Sequence, residues 1–228
     1  MSLPSLISGI CWTIVYVCTV YRGFKDKSYG MPLVALALNF TWEFTYSFLF
    51  PPSESSIGLT IINTIWCIFD AGIVYTYFKN GHKYFEESYG MKKSTFYAVS
   101  VLAFFLCFGI MYQGATFFAD LPYFKGDTFE VGKFIANYQN AAMSCLFVNM
   151  FLTRKKAGHS VEGLSFYAAV FKMIGTPFTV GISQMLSHPN DWQMISIAVL
   201  TCAIFDIWYV VLLWKELKAQ GINPWKRV

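Results

Sequence analysis

The chain has 228 residues, of which 56% are hydrophobic and only 13% charged. Soluble domains carry about 25% charged residues, so this much apolar surface does not fit an ordinary soluble fold. The formal net charge of +4 is too small for a nucleic-acid partner, and no basic stripe or nucleic-acid motif accompanies it.

A helix needs roughly 20 mostly apolar residues to cross the hydrocarbon of a bilayer. Seven stretches qualify: residues 3–21, 31–50, 57–78, 94–118, 131–152, 165–187 and 192–214, joined by short polar connectors. They predict an all-α membrane protein, a single seven-transmembrane helix bundle over residues 1–228. The first stretch has no basic residue before it and no small-residue cleavage site after it, so it is expected to stay as a helix. Basic residues then set the orientation. Arg22, Lys25 and Lys27 follow the first stretch, and Lys79, Lys83, Lys92 and Lys93 flank the loop after the third. Arg154, Lys155 and Lys156 follow the fifth, and Lys215, Lys218, Lys226 and Arg227 follow the seventh. Lys125 and Lys133 alone fall on the other side, which predicts an N-terminus outside and a cytoplasmic C-terminus. The membrane would be the endoplasmic reticulum in a eukaryote and the cytoplasmic membrane in a bacterium. The six cysteines lie in apolar stretches without a Cys-x-x-Cys pair and read as small buried hydrophobes.

A short internal repeat is visible. Ile68-Phe69-Asp70 recurs as Ile204-Phe205-Asp206, at an offset of 136, and the pair Tyr29-Gly30 matches Glu162-Gly163 at an offset of 133. This suggests two parallel three-helix units, residues 1–80 and 131–217, joined by a linker helix at 94–118, as in transporters with parallel repeats.

A charge at mid-bilayer costs at least about 2.5–3.5 kcal/mol, so it faces the bundle interior and usually has a function. Glu43, Asp70, Lys172 and Asp206 lie within roughly 6 Å of their span centres at 1.5 Å per residue, close enough to share one cavity. Helical spacing extends each into a polar stripe: Asn39, Glu43 and Tyr46; Asn63, Trp66, Asp70 and Tyr77; Lys172, Thr176, Thr179 and Ser183; Cys202, Asp206 and Tyr209. Gln113, Gln139, Asn140 and Ser144 add amide and hydroxyl groups. Singly, such amides and hydroxyls are more often interhelical hydrogen-bond partners, worth about 0.6 kcal/mol each. Asp70 is open between a catalytic role and a plain ion pair with Lys172. Three buried acids against one cation leave at least one carboxyl to be protonated at neutral pH, and Glu43, next to Trp42, is the candidate. The three histidines, His82, His159 and His188, fall in loops and are expected to be solvated. There is no Asp-rich magnesium-diphosphate motif, no Gly-rich phosphate loop and no His-Glu-x-x-His.

Tyr29-Gly30-Met31, Asn39-Phe40-Thr41-Trp42-Glu43, Phe205-Asp206-Ile207-Trp208-Tyr209-Val210 and Trp214-Lys215-Glu216 give the chain a family likeness. It resembles the small integral-membrane terpene cyclases of fungal meroterpenoid and indole-diterpene pathways, the paxB-like family. The resemblance implies that Glu43 and Asp206, which match the glutamate and aspartate implicated in that family, are catalytic. It implies a lipophilic prenylated substrate, with an epoxidised prenyl chain on an aromatic, polyketide or indole head, cyclised by protonation without metal or cofactor. Asn39, Trp42, Tyr46, Asn63, Trp66, Asp70, Lys172 and Tyr209 would then line the substrate pocket, in contact with membrane lipid at its margins. The oligomeric state is not specified. The rival reading is a small transporter of the PQ-loop or sugar-transporter type. It requires helix breaks in matching halves, and Gly175-Thr176-Pro177 suggests one in span six while span two offers only Pro32 near its end.

Overall fold

The computed structural model describes residues 2–52, 57–187 and 194–228. His188 and the expected start of the last span at Trp192 lie outside the described residues. The described chain folds into α1 (Leu3–Lys25), α2 (Leu33–Phe44), α3 (Ile57–Tyr89), α4 (Lys93–Ala119), α5 (Thr128–Lys156), α6 (Phe166–Gly175), α7 (Ile182–Ser187) and α8 (Ile195–Ala219). Two π-helical stretches extend this set: Thr45–Leu49 continues α2, and Thr176–Gly181 joins α6 to α7. The described residues thus form seven helical rods. Four helices, α1, α3, α4 and α8, are long and apolar enough by themselves to cross a membrane.

Local chemistry sets several of the helix ends. Ser2 caps α1 through the Ser5 amide, Asp127 caps α5 through the amides of Phe129 and Glu130, and Ser165 caps α6 through that of Ala168. Each side-chain oxygen satisfies an amide that has no partner inside its helix. The helix α3 runs on to Tyr89, well past the hydropathic limit at Phe78. Its 33 residues measure about 50 Å at 1.5 Å per residue, against about 30 Å of hydrocarbon. The extension carries Lys79, Lys83, Glu86 and Glu87, residues that suit water rather than lipid.

The two π stretches correct the expectation that only span six is broken. They also rotate the face that follows. A π turn holds one residue more than an α turn, so the stripe expected at Thr176, Thr179 and Ser183 is replaced inside the bundle by Thr176, Val180 and Gln184. The Thr179 hydroxyl turns back to the Ile174 carbonyl instead.

The C-terminal ends of α1, α3, α5 and α8, basic in all but α3, meet at one end of the bundle. Asp26 binds both Arg22 and Arg227 at 2.7 Å and accepts from the Gly163 amide at 2.8 Å. Arg154, 2% exposed, donates to the Glu162 carbonyl, the Ser28 hydroxyl and the Tyr29 carbonyl, with its guanidinium 4.2 and 4.4 Å from the Tyr29 and Tyr84 rings. A Cβ on Gly30 would stand 2.8 Å from the Gly163 carbonyl oxygen, and one on Gly163 2.6 Å from that of Tyr29. The two glycines of the sequence repeat therefore pack against each other, which only residues without a side chain allow here.

The loop expectation fails for His82 and holds for His159, which is nevertheless engaged rather than free in solvent. His82 is half-buried on α3 rather than in a loop. His159 lies between two carboxylates, Nε2 2.7 Å from Glu87 and Nδ1 3.0 Å from Glu162. The hydrogen bond with Glu162 pushes the imidazole above its usual pKa, and the charge of Glu87 adds to this. Burial lifts the Glu162 carboxyl, but hydrogen bonds from His159 and Tyr84 outweigh it and hold the group below its usual range.

Candidate active site

At the end of the bundle away from the basic cluster, a cavity of about 850 Å³, counting the space at its mouth, enters between α1, α2, α3, α5 and α7. Ser5, Leu59, Lys133 and Gln184 stand at the rim; Trp12, Trp42, Trp66 and Phe129 form walls; Tyr16, Asn39, Glu43 and Gln139 form the polar floor. The walls are held in place by hydrogen bonds that fix the indole planes. Trp42 donates to the Gly132 carbonyl at 2.9 Å and Trp66 to the Thr13 hydroxyl at 3.1 Å. The ring centroids of Trp12 and Trp66 lie 5.8 and 5.7 Å from that of Tyr16.

The floor is a directed chain of hydrogen bonds. The Tyr16 hydroxyl donates to Glu43 Oε1 at 2.8 Å and accepts from Asn39 Nδ2 at 2.6 Å. The same nitrogen donates to Asp70 Oδ2 at 2.7 Å, and Gln139 Nε2 donates to Asn39 Oδ1 at 3.1 Å. Glu43 is 3% exposed and Asp70 is sealed at 0%. Glu43 Oε2 and Asp70 Oδ1 have no partner among the described residues. No salt bridge to a cation is formed by either carboxyl among the described residues.

Asp206 and Lys172 form a second cluster. Lys172 Nζ lies 2.7 and 2.9 Å from the two Asp206 oxygens and donates to Ser144 Oγ at 2.7 Å. Cys202 Sγ donates to Asp206 Oδ2 at 3.4 Å. The cation named above as a partner for Asp70 is thus bound to Asp206, and the four ionisable residues do not share one cavity. The reason is packing: α6 lies against α8 as well as α1, while Asp70 on α3 faces α2. Lys172 and Tyr209 line a separate, far smaller cavity, with free space of about 20 Å³, that has Trp12 in common with the large one.

Of the residues expected to line the pocket, Asn39, Trp42, Glu43 and Trp66 do so. Asp206 does not reach it. Asp70 lies beneath the floor, behind Asn39. Tyr46 packs behind the wall, its ring tilted against Trp42 at 5.0 Å between centroids and pressed onto Gly132, where a Cβ would come within 2.7 Å. Asn63 is buried without a partner for its Nδ2 among the described residues. Sequence reasoning missed Tyr16, the hinge of the floor, because a tyrosine in an apolar span carries no formal charge. Its spacing from Trp12 and Thr19 on one face of α1 was the available sign.

A family model of Pyr4-like transmembrane terpene cyclases matches residues 2–219. Among curated proteins, the chain is 30% identical over 156 residues to the Pyr4-family terpene cyclase mfmH of Annulohypoxylon moriforme, covering 68% of this chain and 60% of that one. It is 38% identical over 74 residues to terpene cyclase pyr4 of Aspergillus fumigatus, covering 32% of this chain and 30% of the relative. Terpene cyclase ascF of Acremonium egyptiacum is 40% identical over 73 residues, covering 32% and 26%. The matches thus span at most 60% of the length of these relatives. No solved structure matches the chain. With a family match over nearly its whole length, the chain belongs to the Pyr4-like transmembrane terpene cyclases.

Proposed function

We propose that this protein is a membrane terpene cyclase that opens a terminal epoxide on a prenyl chain by protonation and cyclises the chain. The observation that carries the reading is Glu43: a buried carboxyl at the floor of an aromatic-walled cavity, with one oxygen hydrogen-bonded, the other unpartnered and no paired cation. Burying such a group ionised would be costly, so it holds a proton. Glu43 is favoured over Asp206 as the acid because Asp206 is paired with Lys172 and does not line the cavity. A prenylated substrate fits with its polar head at the rim, near Lys133 and Gln184, and its terminal epoxide at the floor.

The Glu43 proton passes to the epoxide oxygen while a carbon–oxygen bond breaks, its electron pair staying on that oxygen. The resulting cation is attacked by successive alkenes. Indole and phenyl faces stabilise the moving positive charge by about 0.5–2 kcal/mol each, and the closed floor keeps out water that would quench it. The final proton returns to the Glu43 carboxylate, so the net reaction is an isomerisation.

In the same reading the seven rods cross the bilayer seven times, with the basic end cytoplasmic and the cavity opening toward the other face. Residues 1–80 and 131–217 form two parallel units about residues 94–118. The packed Gly30–Gly163 pair and the equivalent contacts Asn39–Asp70 and Lys172–Asp206 support this. The test is turnover: membranes containing the protein receive geranyl-, farnesyl- and geranylgeranyl-substituted phenols and indoles bearing a terminal epoxide. An isomeric cyclic product is expected, with at least a hundredfold loss in Glu43→Gln, since a general acid contributes about 10²–10⁴-fold. Full activity in that variant would refute the assignment. The paired π stretches favour transport as a second reading; uptake of the probe into vesicles without isomerisation would establish it instead.

A further inference from the structure

We infer that Tyr16 is a positioning residue for the proton donor, held by Asn39 so that it fixes which oxygen of Glu43 carries the proton. The inference rests on Glu43 as the acid. A carboxamide nitrogen donates twice and accepts nothing, whereas a phenol hydroxyl donates once. Both Asn39 amide hydrogens are committed, to Tyr16 Oη at 2.6 Å and Asp70 Oδ2 at 2.7 Å. The reverse amide orientation would set its oxygen against the Asp70 carboxylate oxygen, 2.7 Å away, with no hydrogen between them. Tyr16 therefore receives a hydrogen bond from Asn39, and its single hydrogen goes to Glu43 Oε1 at 2.8 Å. With Oε1 an acceptor, the proton resides on Oε2, the unpartnered oxygen of a residue that lines the cavity.

The arrangement also acts as the proton leaves. Glu43 then becomes a carboxylate, and the Tyr16 hydrogen bond to it strengthens because the acceptor gains charge. The interaction is worth more in the transition state than in the ground state, so its loss should appear in kcat rather than in KM.

Tyr16→Phe removes the hydroxyl and keeps a ring packed against Trp12, Trp66 and Phe69. Rates are measured on the epoxide panel in membranes and normalised to folded protein recovered in detergent. The expected result is a kcat lowered about tenfold to hundredfold, the scale of one lost transition-state donor, with KM changed less than about twofold. Asn39→Leu should lower kcat as well. Combined with Tyr16→Phe, it should cost less than the product of the two losses, since both act partly through one oxygen. A Tyr16→Phe kcat within about twofold of wild type, a loss carried by KM, or fully multiplicative losses would overturn the inference. Glu43→Gln, run alongside, separates the two readings: full activity there sinks the acid assignment itself, whereas an inactive Glu43→Gln beside an unimpaired Tyr16→Phe sinks only the role of Tyr16.

Discussion

Replacing Lys172 by methionine separates what Asp206 does for the fold from what it does for the reaction. The ammonium lies 2.7 and 2.9 Å from the Asp206 oxygens, and the two side chains are 4% and 2% exposed. Methionine keeps the length and apolar bulk of the stem and removes only the charge and its three donors. The variant leaves a carboxylate in the interior with the Cys202 thiol as its nearest donor. Removing one partner of a buried pair costs about 3–5 kcal/mol, equivalent to a hundredfold or more in the folding equilibrium. Asp206→Asn should cost a similar amount by stranding the ammonium. The double variant Lys172→Met/Asp206→Asn leaves no buried charge, so it should recover to within about 1–2 kcal/mol of wild type, because apolar or neutral replacements of buried pairs are often close to neutral. Reversible unfolding in mixed detergent micelles measures all four forms. A Lys172→Met variant within about 1 kcal/mol of wild type would refute the reasoning, as would a double variant as unstable as the sum of the singles. The same four proteins report on chemistry. If the double variant folds and still turns over the epoxide, Asp206 serves the architecture; if it folds and is inactive, its charge is used in the reaction.

The remaining predictions concern the uncompensated acids and the basic end. Asn39→Lys places a cation where the other half carries Lys172, within reach of Asp70 and close to Glu43; turnover should fall at least about a hundredfold, the scale of a lost general acid, while thermal stability in detergent is retained. Activity within about threefold of wild type would show that Glu43 does not need an environment free of cations. At the basic end, His159 is raised above its usual value of 6.5 by Glu162 and Glu87, so its contribution to stability is fully present below 6.5 and is lost as pH rises through the folded value. Glu162 is depressed below 4.5, so its contribution is present above that value and is lost as pH falls through the folded one. The stability difference between wild type and His159→Gln should therefore be largest between these limits and shrink on the alkaline side. It should also be small and salt-sensitive, because the imidazole is 31% exposed. A difference that keeps growing as pH rises on the alkaline side of 6.5 would contradict the assignment.

The helical rods were legible because each needs a long apolar run, and hydropathy reports such runs directly. Their ends were less so. Hydropathy follows lipid contact rather than backbone, so it stopped at Phe78 while α3 continued through charged residues to Tyr89. Periodicity failed where its assumption failed: the π turn at Thr176–Gly181 adds a residue and puts Gln184, not Ser183, against the cavity. Formal charge marked Glu43, Asp70, Lys172 and Asp206 as residues that must be buried together with something, and it passed over Tyr16. Pairing was the part that spacing within single helices cannot supply. Which acid Lys172 meets depends on how α6 sits against α8 and α3, and the structure unites it with Asp206.

In the proposed two-unit reading, that pairing is where the halves differ in chemistry. At an offset of 133, Asn39 stands where Lys172 stands, and each donates to the aspartate of the third rod of its half, Asp70 or Asp206, at 2.7 Å. In the second half the donor is a cation and the aspartate is balanced. In the first half the donor is a neutral amide, so the aspartate has no counter-charge. Glu43 then adds a second carboxyl at the position where Thr176 lies opposite. Two buried acids without a cation oppose each other's ionisation, because burying the unpaired charge costs more than retaining a proton. The cavity opens onto Glu43 and not onto Asp70, which is why the proposed reading takes the proton from Glu43. In the proposed reading, asparagine in place of lysine, with a glutamate beside it, is what distinguishes a site that stores a proton next to an apolar chamber from the Lys172–Asp206 ion pair of the other half.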